Sequence, residues 1–304
     1  MSKPHASEIR EAGEFRCGEV AVIGRPNVGK STLVNALVGA RISITSKRPQ
    51  TTRHRIRGIR TTSAAQFIFV DTPGFQTVHQ SALNARMNRV VRESFAGVDA
   101  IVLVLEAPRL VDQDRAVVGL LPDGARVIAA VNKVDRVADK SRLLPLLAEI
   151  AALRDFAAIV PISAEKGWQL EELTAEIVKL LPSGPPLYPA DDMTDRDERF
   201  LAAEYIREKI FRLLGEEVPY ATAVAIDGFV HEGDLRRIHA TVLVDKASQR
   251  AILLGERGER MKEIATAARR DMERLFGGKV FLEVWVRVKS GWARDERTLA
   301  RLGY

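Results

Sequence analysis

Eight residues from Gly24 to Ser31 follow a short apolar run and match the pattern Gly-x-x-x-x-Gly-Lys-Ser. The two glycines let the backbone curl until successive N–H groups point at phosphate oxygens, because glycine tolerates backbone angles that other residues avoid. In such a loop the Lys30 ammonium reaches the β- and γ-phosphates, and the Ser31 hydroxyl ligates Mg²⁺. The pattern therefore predicts a nucleoside triphosphate site, but it does not specify the base.

A second segment, Asp71-Thr72-Pro73-Gly74, follows the apolar run Phe67–Val70. A carboxylate at the carboxyl end of a strand can hold the metal through water, and the Gly74 N–H can sense the γ-phosphate. Asp-x-x-Gly is a weak signal alone, and its weight comes from its place behind the first loop. We expect it to complete the triphosphate and metal site.

Two further segments at strand ends concern the base. Asn132–Asp135 follows the apolar run Val127–Val131. The Asp135 carboxylate can accept from the guanine N1–H and 2-amino groups, donors that adenine cannot present together. Ser163–Ala164 can supply a backbone N–H to guanine O6, and the Lys133 stem can pack over the base plane. The sequence therefore predicts selectivity for guanine.

The order of these four motifs, each at a strand end, resembles the translation-factor-like class of small GTPases. The resemblance implies an α/β Ras-like P-loop domain over residues 18–181, with a mainly parallel sheet and helices on both faces. We expect a helix at 29–38 and strands at 18–24, 55–62, 66–71, 100–106, 125–131 and 157–162. The predicted nucleotide-binding residues are Gly24, Arg25, Pro26, Asn27, Val28, Gly29, Lys30, Ser31, Thr32, Asp71, Thr72, Pro73, Gly74, Asn132, Lys133, Val134, Asp135, Ser163 and Ala164.

The sequence departs from the Ras pattern where catalysis is concerned. Ras-type enzymes carry a water-orienting Gln after Asp-x-x-Gly, and here that position is Phe75. Hydrolysis must then depend on Mg²⁺, Lys30 and backbone N–H groups, so we expect slow turnover. GTPases that this chain resembles use an Asn at the position of Asn27 to bind K⁺ beside the phosphates, although a turn-forming Asn is the alternative. The catalytic candidates are Lys30, Asn27, Thr52 and Gly74.

The first switch is expected within Arg41–Arg60, which carries seven Lys or Arg residues and no acid. One Thr in Gln50–His54 should ligate Mg²⁺ only when a γ-phosphate is present, and the resemblance assigns this role to Thr52. The metal ligands are then Ser31, Thr52 and Asp71. Two interpretations of the basic run stay open: a solvated, mobile segment, or a segment that contacts RNA phosphates.

The composition changes at Leu181–Pro189, which has four prolines in nine residues and predicts a semi-rigid linker. The following stretch to Glu198 is acidic. We therefore expect an N-terminal extension at 1–17, the GTPase domain at 18–181, a Pro-rich and acidic linker at 182–198, and a second domain at 199–304.

The second domain carries Leu253–Met261, which resembles the Val-Ile-Gly-x-x-Gly-x-x-Ile core of KH domains. That module binds single-stranded RNA, because two glycines let the backbone clamp about four nucleotides. The carboxylate of Glu256 departs from the usual basic loop. The apolar spacing predicts helices at Phe200–Leu214 and Glu259–Phe276 and strands at Tyr220–Val230, Ile238–Val244 and Val280–Val288. This α+β order resembles the type II arrangement of KH domains.

Charge supports an RNA site in the last part of the chain. Residues 184–245 carry a net charge of −6, whereas residues 246–304, which include the Gly-x-x-Gly loop, carry +6. A solvated helix face would explain Lys262, Arg269 and Arg270 equally well. The RNA-binding candidates are Gly255, Glu256, Arg257, Gly258, Arg260, Lys262 and Lys289, within a wider basic set that includes Arg269, Arg270, Arg287, Arg294 and Arg297.

Along nearly its whole length the chain resembles the Era family of bacterial GTPases, which end in a type II KH domain. The segments Ile42–His54, Glu283–Trp292 and Leu302–Tyr304 carry this resemblance. It implies slow hydrolysis of GTP to GDP, binding to the 3′ end of 16S ribosomal RNA, and a role in maturation of the 30S subunit. Two alternatives stay open: a GTPase that acts on tRNA or another translation component, and a nucleotide-dependent RNA-binding switch without significant catalysis.

Composition sets the remaining bounds. A length of 304 residues suits two domains, and Cys17, the single cysteine, allows no internal disulfide, which agrees with a reducing cytoplasm. Apolar runs such as Ile101–Leu105 are too short to span a bilayer. A net charge of +6 favours polyanionic partners, and an anionic membrane surface would also satisfy it. The resemblance allows weak peripheral association at the cytoplasmic face of the inner membrane.

Overall fold

The computed structural model describes residues 14–46, 52–75, 82–214 and 218–295, except the side chains of 82–86 and 294. Several predicted features lie outside the described residues: most of the N-terminal extension, Gln50 and Thr51 of the switch, the side chain of Arg294, Arg297, and the closing Leu302–Tyr304. Within the described ranges, no helix is both long enough and apolar enough to cross a membrane.

The first half of the chain forms a six-stranded sheet in the order β2-β3-β1-β4-β5-β6, in which only the β2–β3 pair is antiparallel. The strands are β1 (Arg16–Ile23), β2 (Ile56–Thr61), β3 (Ala65–Asp71), β4 (Ala100–Glu106), β5 (Val127–Asn132) and β6 (Ala158–Pro161). The helices are α1 (Lys30–Val38), α2 (Ala82–Glu93), α3 (Asp112–Val118), α4 (Leu143–Ala151) and α5 (Leu170–Leu180). The predicted mainly parallel sheet is confirmed.

Both faces of this sheet are buried, which explains why its strands are continuous apolar runs in the sequence. Val102 and Val104 of β4 pack with α1 and α5 on one face. Ile101, Leu103 and Leu105 of the same strand pack with α2, α3 and α4 on the other. The loops that follow β1, β3, β4 and β5 therefore emerge together at one edge of a rigid layer.

The second half forms a three-stranded sheet in the order β7-β8-β9. Its strands are β7 (Thr222–Glu232), β8 (Leu235–Val244) and β9 (Lys279–Val288), and its helices are α6 (Glu198–Leu213), α7 (Ala247–Leu254) and α8 (Glu259–Phe276). The β7–β8 pair is antiparallel and the β8–β9 pair is parallel. The sequence analysis missed α7, because its eight residues carry only one fully buried side chain, Leu253.

One predicted boundary differs from the structure. The first strand begins at Arg16, so the last two residues of the predicted extension 1–17 belong to the sheet. Arg16 Nη1 donates to the Leu181 carbonyl at 2.7 Å, and the Cys17 N–H donates to the Pro182 carbonyl at 3.1 Å. The strand therefore starts where the chain that leaves α5 can pair with it.

The Pro-rich linker lies along the sheet. Gln66 Oε1 accepts from the backbone N–H groups of Leu187 at 2.7 Å and Tyr188 at 3.0 Å. The Ile59 N–H donates to the Met193 carbonyl at 2.9 Å. The segment between the two sheets is therefore hydrogen-bonded to β2 and β3 over much of its length.

The basic switch segment contacts the second half of the chain. Arg41 binds the buried Glu208 carboxylate through hydrogen bonds of 2.6 and 2.5 Å and contacts Asp271 at 3.0 Å. The buried Arg53 donates to the carbonyls of Thr222 at 3.0 Å and Tyr220 at 3.2 Å. Protein acceptors on α6, on α8 and at the start of β7 bind these two arginines, so the interpretation of a solvated, mobile segment does not fit the buried Arg53.

Candidate nucleotide site and Gly-x-x-Gly loop

The loop between β1 and α1 has little room for side chains. A Cβ on Gly29 would lie 2.4 Å from Asn132 Nδ2, and a Cβ on Gly24 would lie 2.5 Å from the Val104 carbonyl oxygen. Both glycines also have positive φ, 102° and 152°, which other residues rarely adopt. The predicted phosphate loop therefore takes the shape that its glycines allow, and it ends at the first turn of α1, where free backbone N–H groups favour anions.

Lys30 lies inside this loop with only 6% of its surface exposed, and its Nζ donates to the Arg25 carbonyl at 2.9 Å. Burial lowers the pKa of Lys30 to about 8, although the nearby Asp71 carboxylate opposes this effect. A buried ammonium held against the loop is placed to neutralise phosphate charge.

Three oxygen-bearing side chains meet at the predicted metal position. Thr52 Oγ1 lies 2.8 Å from Ser31 Oγ and donates to Asp71 Oδ2 at 3.3 Å. Asp71 is fully buried, and within the described part of the chain its Oδ1 has no hydrogen-bond partner. Burial also raises the pKa of this carboxyl group. An unpaired buried carboxylate oxygen beside two hydroxyls fits Mg²⁺, a hard cation that prefers oxygen ligands.

The predicted base loop is held to the phosphate loop by the Asn132 amide. Its Nδ2 donates to the Val28 carbonyl at 2.8 Å, and its Oδ1 accepts from the N–H groups of Lys133 at 2.8 Å and Ala164 at 2.9 Å. Asn132 therefore acts as a clamp between three loops. In this structure the Ala164 N–H donates to Asn132, and the contact of Ser163–Ala164 with guanine O6 stays a prediction.

Asp135 lies two residues after Lys133, whose backbone is left-handed at φ 66°. Among the described residues Asp135 Oδ1 is buried and has no hydrogen-bond partner. A cavity of about 890 Å³ joins this residue to Lys30, Ser31, Thr52 and Gly74. Residues predicted to bind the phosphates, the metal and the base therefore line one cavity, in which Asp135 offers a free acceptor.

Three predicted residues face the interior of the protein. Val28 packs in the core on one face of the sheet, and Val134 packs in the core on the other. The buried Thr72 donates its hydroxyl to the Val22 carbonyl at 2.9 Å. Only their backbones can contact a nucleotide, because their side chains are already packed or paired.

Phe75 and Asn27 bear on catalysis. Phe75 packs in the core with Ile23 and Val91, so its ring is directed away from the cavity. Its neighbour Gly74 lies against the phosphate loop, since a Cβ there would be 2.7 Å from Pro26 Cα.

Asn27 is exposed and lines the cavity. Its φ of 66° is a left-handed conformation that Asn tolerates better than most residues. This geometry agrees with the turn-forming alternative, and K⁺ binding stays a prediction.

Two acidic residues that the sequence analysis missed complete the site. Arg25 Nη2 donates to Glu106 Oε2 at 2.8 Å, and its Nε donates to the buried Asp114 Oδ1 at 3.0 Å. The other oxygen of Glu106 accepts from Lys133 Nζ at 2.7 Å. The Arg25 guanidinium is therefore bound to protein acids, and the predicted contact of Arg25 with the nucleotide stays a prediction for its backbone. Glu106 ends β4, and its place at a strand end was the available signal.

The Gly-x-x-Gly loop has a different character. Gly255 and Gly258 have φ of 71° and 83°, and Arg257 between them is left-handed at φ 49°. Glu256 and Arg257 are exposed, as predicted, and α8 begins directly after Gly258. Arg260 and Lys262 are exposed on the first turn of that helix. The loop therefore presents its backbone and two charged side chains to solvent beside the start of a helix.

Lys289 is compensated by a neighbouring acid. It lies just beyond β9, and its ammonium contacts Asp295 at 2.9 Å. Arg269 on α8 is likewise paired, with Glu273 at 2.6 Å. These pairs reduce the free positive charge of the predicted RNA surface, and Arg257 and Arg260 become its better candidates.

Comparison with known proteins gives two family matches. A family model described as "50S ribosome-binding GTPase" matches residues 19–133, and one described as "KH domain" matches residues 217–293. "GTPase Era" of Nitrosomonas eutropha is 54% identical over 293 residues, which cover 96% of this chain and 99% of that protein. "GTPase Era" of Neisseria meningitidis serogroup B is 54% identical over 296 residues, 97% of this chain and 96% of that protein.

Two solved structures superpose on both halves of the chain. One is an Aquifex aeolicus Era variant bound to GDP and AlF4⁻, with a TM-score of 0.91, 37% identity, and coverage of 95% of this chain and 99% of that one. The other is Era in complex with MgGDPNP and nucleotides 1506–1542 of 16S ribosomal RNA, with the same TM-score, identity and coverage.

Proposed function

The chain belongs to the Era family of GTPases, and from this premise we propose that it promotes maturation of the small ribosomal subunit by binding the 3′ end of 16S rRNA. The observation that carries the proposal is the superposition on a relative that holds MgGDPNP and nucleotides of 16S rRNA at once. That superposition covers 95% of this chain.

The chain is a GTPase with Mg²⁺ as its cofactor, and we assign the site as follows. Ser31, Thr52 and Asp71 hold the metal, which neutralises developing phosphate charge when it is bound. The Lys30 ammonium and the N–H groups of the loop hold the phosphates, and the Gly74 N–H contacts the γ-phosphate. The buried carboxylate oxygen of Asp135 selects guanine.

We expect hydrolysis to be slow, because Phe75 leaves no side chain at its position to orient the attacking water. Asn27 lines the cavity beside Lys30, and we propose that its amide oxygen helps to hold K⁺ near the phosphates, where the ion adds positive charge.

Salt exchange tests the K⁺ proposal. Steady-state phosphate release should be several-fold faster in KCl than in NaCl at equal ionic strength, and Asn27→Ala should abolish the difference while GDP binding is mostly kept. Equal rates of the unmodified protein in the two salts would remove K⁺ from the mechanism. A complete lack of phosphate release in KCl would instead favour the RNA-binding switch without catalysis.

The RNA proposal is tested with the full chain and a labelled oligonucleotide that copies the 3′ end of 16S rRNA. Binding should be tight in the presence of a non-hydrolysable GTP analogue, and a shuffled oligonucleotide of equal length and composition should bind at least tenfold more weakly. Sequencing of RNA crosslinked to the chain in cells should recover the same 16S segment. Recovery of tRNA instead would support the alternative of a tRNA-directed GTPase.

We also propose that the protein works in the cytoplasm, where its RNA partner lies, with weak peripheral contact to the inner membrane. Cell fractionation tests this, because a peripheral fraction held by charge should leave the membrane in high salt.

A further inference from the structure

Glu106 occupies a central position at the edge of the first sheet from which the predicted nucleotide-binding loops emerge. It is the last residue of β4, which lies between β1 and β5 in the sheet. The phosphate loop follows β1, and the base loop with Lys133 and Asp135 follows β5. The strand order therefore places a carboxylate between the loops that are proposed to hold the two ends of the nucleotide.

Each oxygen of this carboxylate binds one cation. Oε1 accepts from Lys133 Nζ at 2.7 Å, and Oε2 accepts from Arg25 Nη2 at 2.8 Å. The Glu106 side chain is only 25% exposed, and the Lys133 and Arg25 side chains are 18% and 17% exposed. Partly buried, charge-assisted hydrogen bonds of this length are stronger than exposed ion pairs.

The two cations are also fixed at their far sides. Lys133 Nζ donates to the Asn27 carbonyl at 2.6 Å, in the phosphate loop. Arg25 Nε donates to Asp114 Oδ1 at 3.0 Å, and Asp114 Oδ2 accepts from the Val111 N–H at the start of α3. A continuous chain of contacts thus runs from the base loop through Glu106 and Arg25 to α3.

A lysine side chain is long and flexible, and holding it in one conformation before a ligand arrives removes part of the entropic cost of binding. The Lys133 ammonium is held by Glu106 and Asn27, and Lys133 lines the same cavity as Asp135. The phosphate loop is tied to the same anchor through Arg25.

We propose that Glu106 is a positioning residue for guanine-nucleotide binding: it holds the Lys133 stem in place for the base and couples that position to the phosphate loop. The inference rests on the proposed assignment of Lys133 and Asp135 to the base site. Glu106 itself does not touch the nucleotide in this scheme.

A double-mutant cycle on GDP affinity tests the inference. Glu106→Gln keeps the side-chain volume but leaves one oxygen acceptor for two cations, and GDP affinity should fall by about tenfold. Lys133→Met should weaken GDP by at least as much, because the anchored stem loses its ammonium. The double variant should lose less affinity than the two single losses multiplied together, since part of the effect of Glu106 passes through Lys133 and part through Arg25.

Glu149→Gln is the matched control. Glu149 pairs with Arg115 on the surface, both side chains are nearly half exposed, and neither residue lines the cavity. This variant should therefore bind GDP as the unmodified protein does. Glu106→Asp provides a second variant, because its shorter carboxylate keeps the charge but cannot span both cations. It should give an intermediate loss of GDP affinity.

Two outcomes would overturn the inference. GDP affinity that is unchanged in Glu106→Gln, or that falls additively with Lys133→Met, would show that Glu106 does not act through Lys133. Glu106 would be merely structural if Glu106→Gln lowered the Tm of the nucleotide-free protein far more than Glu149→Gln does, and if its loss of GDP affinity were no greater than that of other equally unstable variants. If Lys133→Met itself left GDP affinity unchanged, the proposed base site would fail first, which separates the two hypotheses.

Discussion

The phosphate loop and the Gly-x-x-Gly loop use the same backbone device in different surroundings. Each has glycines at positive φ directly before a helix, Gly29 before α1 and Gly258 before α8. The first loop encloses the buried Lys30 and lies beside carboxylate oxygens that have no partner in the described structure. The second presents Glu256 and Arg257 to solvent.

This difference indicates how each region selects its ligand. A buried acceptor without a partner is costly, so a ligand that supplies the missing donor is strongly preferred to one that does not. An exposed loop pays no such penalty, and its affinity comes from close backbone approach and from screened charges. We therefore expect substitutions in the first region to change the preference between nucleotides by large factors. Substitutions in the second region should change RNA affinity by modest factors.

The largest effect is expected for Asp135→Asn. The amide offers a donor where guanine also donates, whereas xanthine carries a 2-keto acceptor at that position. If each nucleotide shifts by about 2 kcal/mol, the ratio of GTP to XTP affinity should change by roughly a thousandfold. Competition of the two triphosphates against labelled GDP measures this ratio.

Asn88 lies on α2 and does not line the cavity, so Asn88→Asp should leave the ratio unchanged. An unchanged ratio in Asp135→Asn would show that this carboxylate does not read the base and would break the contrast between the two regions.

The sequence predicted which motifs lie together at the nucleotide site better than it predicted the side-chain contacts between them. Apolar runs that end in Asp71 or Asn132 identify strand ends, and parallel strands bring their carboxyl ends to one edge, so the grouping of the motifs followed from pattern alone. The pairing of Arg25 with Glu106 did not follow, because it depends on β4 lying between β1 and β5. Strand order is a long-range property that no local spacing encodes.

The same limit applies between the two halves. Thr52 was predicted as a metal ligand, and the structure places it beside Ser31 and Asp71. The next residue, Arg53, belonged to a run interpreted as solvated or RNA-binding, yet its guanidinium is bound by carbonyls near the start of β7. Only the docking of the second half on the first supplies those acceptors.

A smaller effect is expected at the exposed loop. The double change Glu256→Asp with Arg257→Asp keeps both glycines, removes one cation and adds one anion beside the RNA backbone. Arg257 is left-handed, a conformation that Asp tolerates, so the fold should be kept. Binding to the 16S 3′-end oligonucleotide should fall by about tenfold or more, given about 1–3 kcal/mol for a lost charged contact.

GTP binding should not change in this variant, and it serves as the internal control for folding. Raising the salt concentration should weaken RNA binding less steeply in the variant than in the unmodified protein, because fewer cations are released from the RNA. RNA affinity that survives in a folded variant would place the contact elsewhere on the basic surface.

The smallest effect is the dependence of ligand affinity on pH. It should differ between the two regions, because the first holds a buried lysine and the second exposed arginines. The buried Lys30 has a pKa of about 8 in the nucleotide-free protein, and phosphates close to the ammonium should raise that pKa again. Binding above this pKa therefore takes up a proton, so GDP affinity should decrease as pH rises, by about fourfold between pH 7 and 8.5. Titration calorimetry in buffers of different ionisation enthalpy measures the proton uptake directly. Lys30→Met should bind GDP more weakly with no such uptake, whereas RNA affinity should hardly change over this range, since the proposed RNA contacts are made by arginines. Equal pH dependence in Lys30→Met would mean that another group titrates, and that burial of Lys30 does not distinguish the phosphate loop from the exposed one.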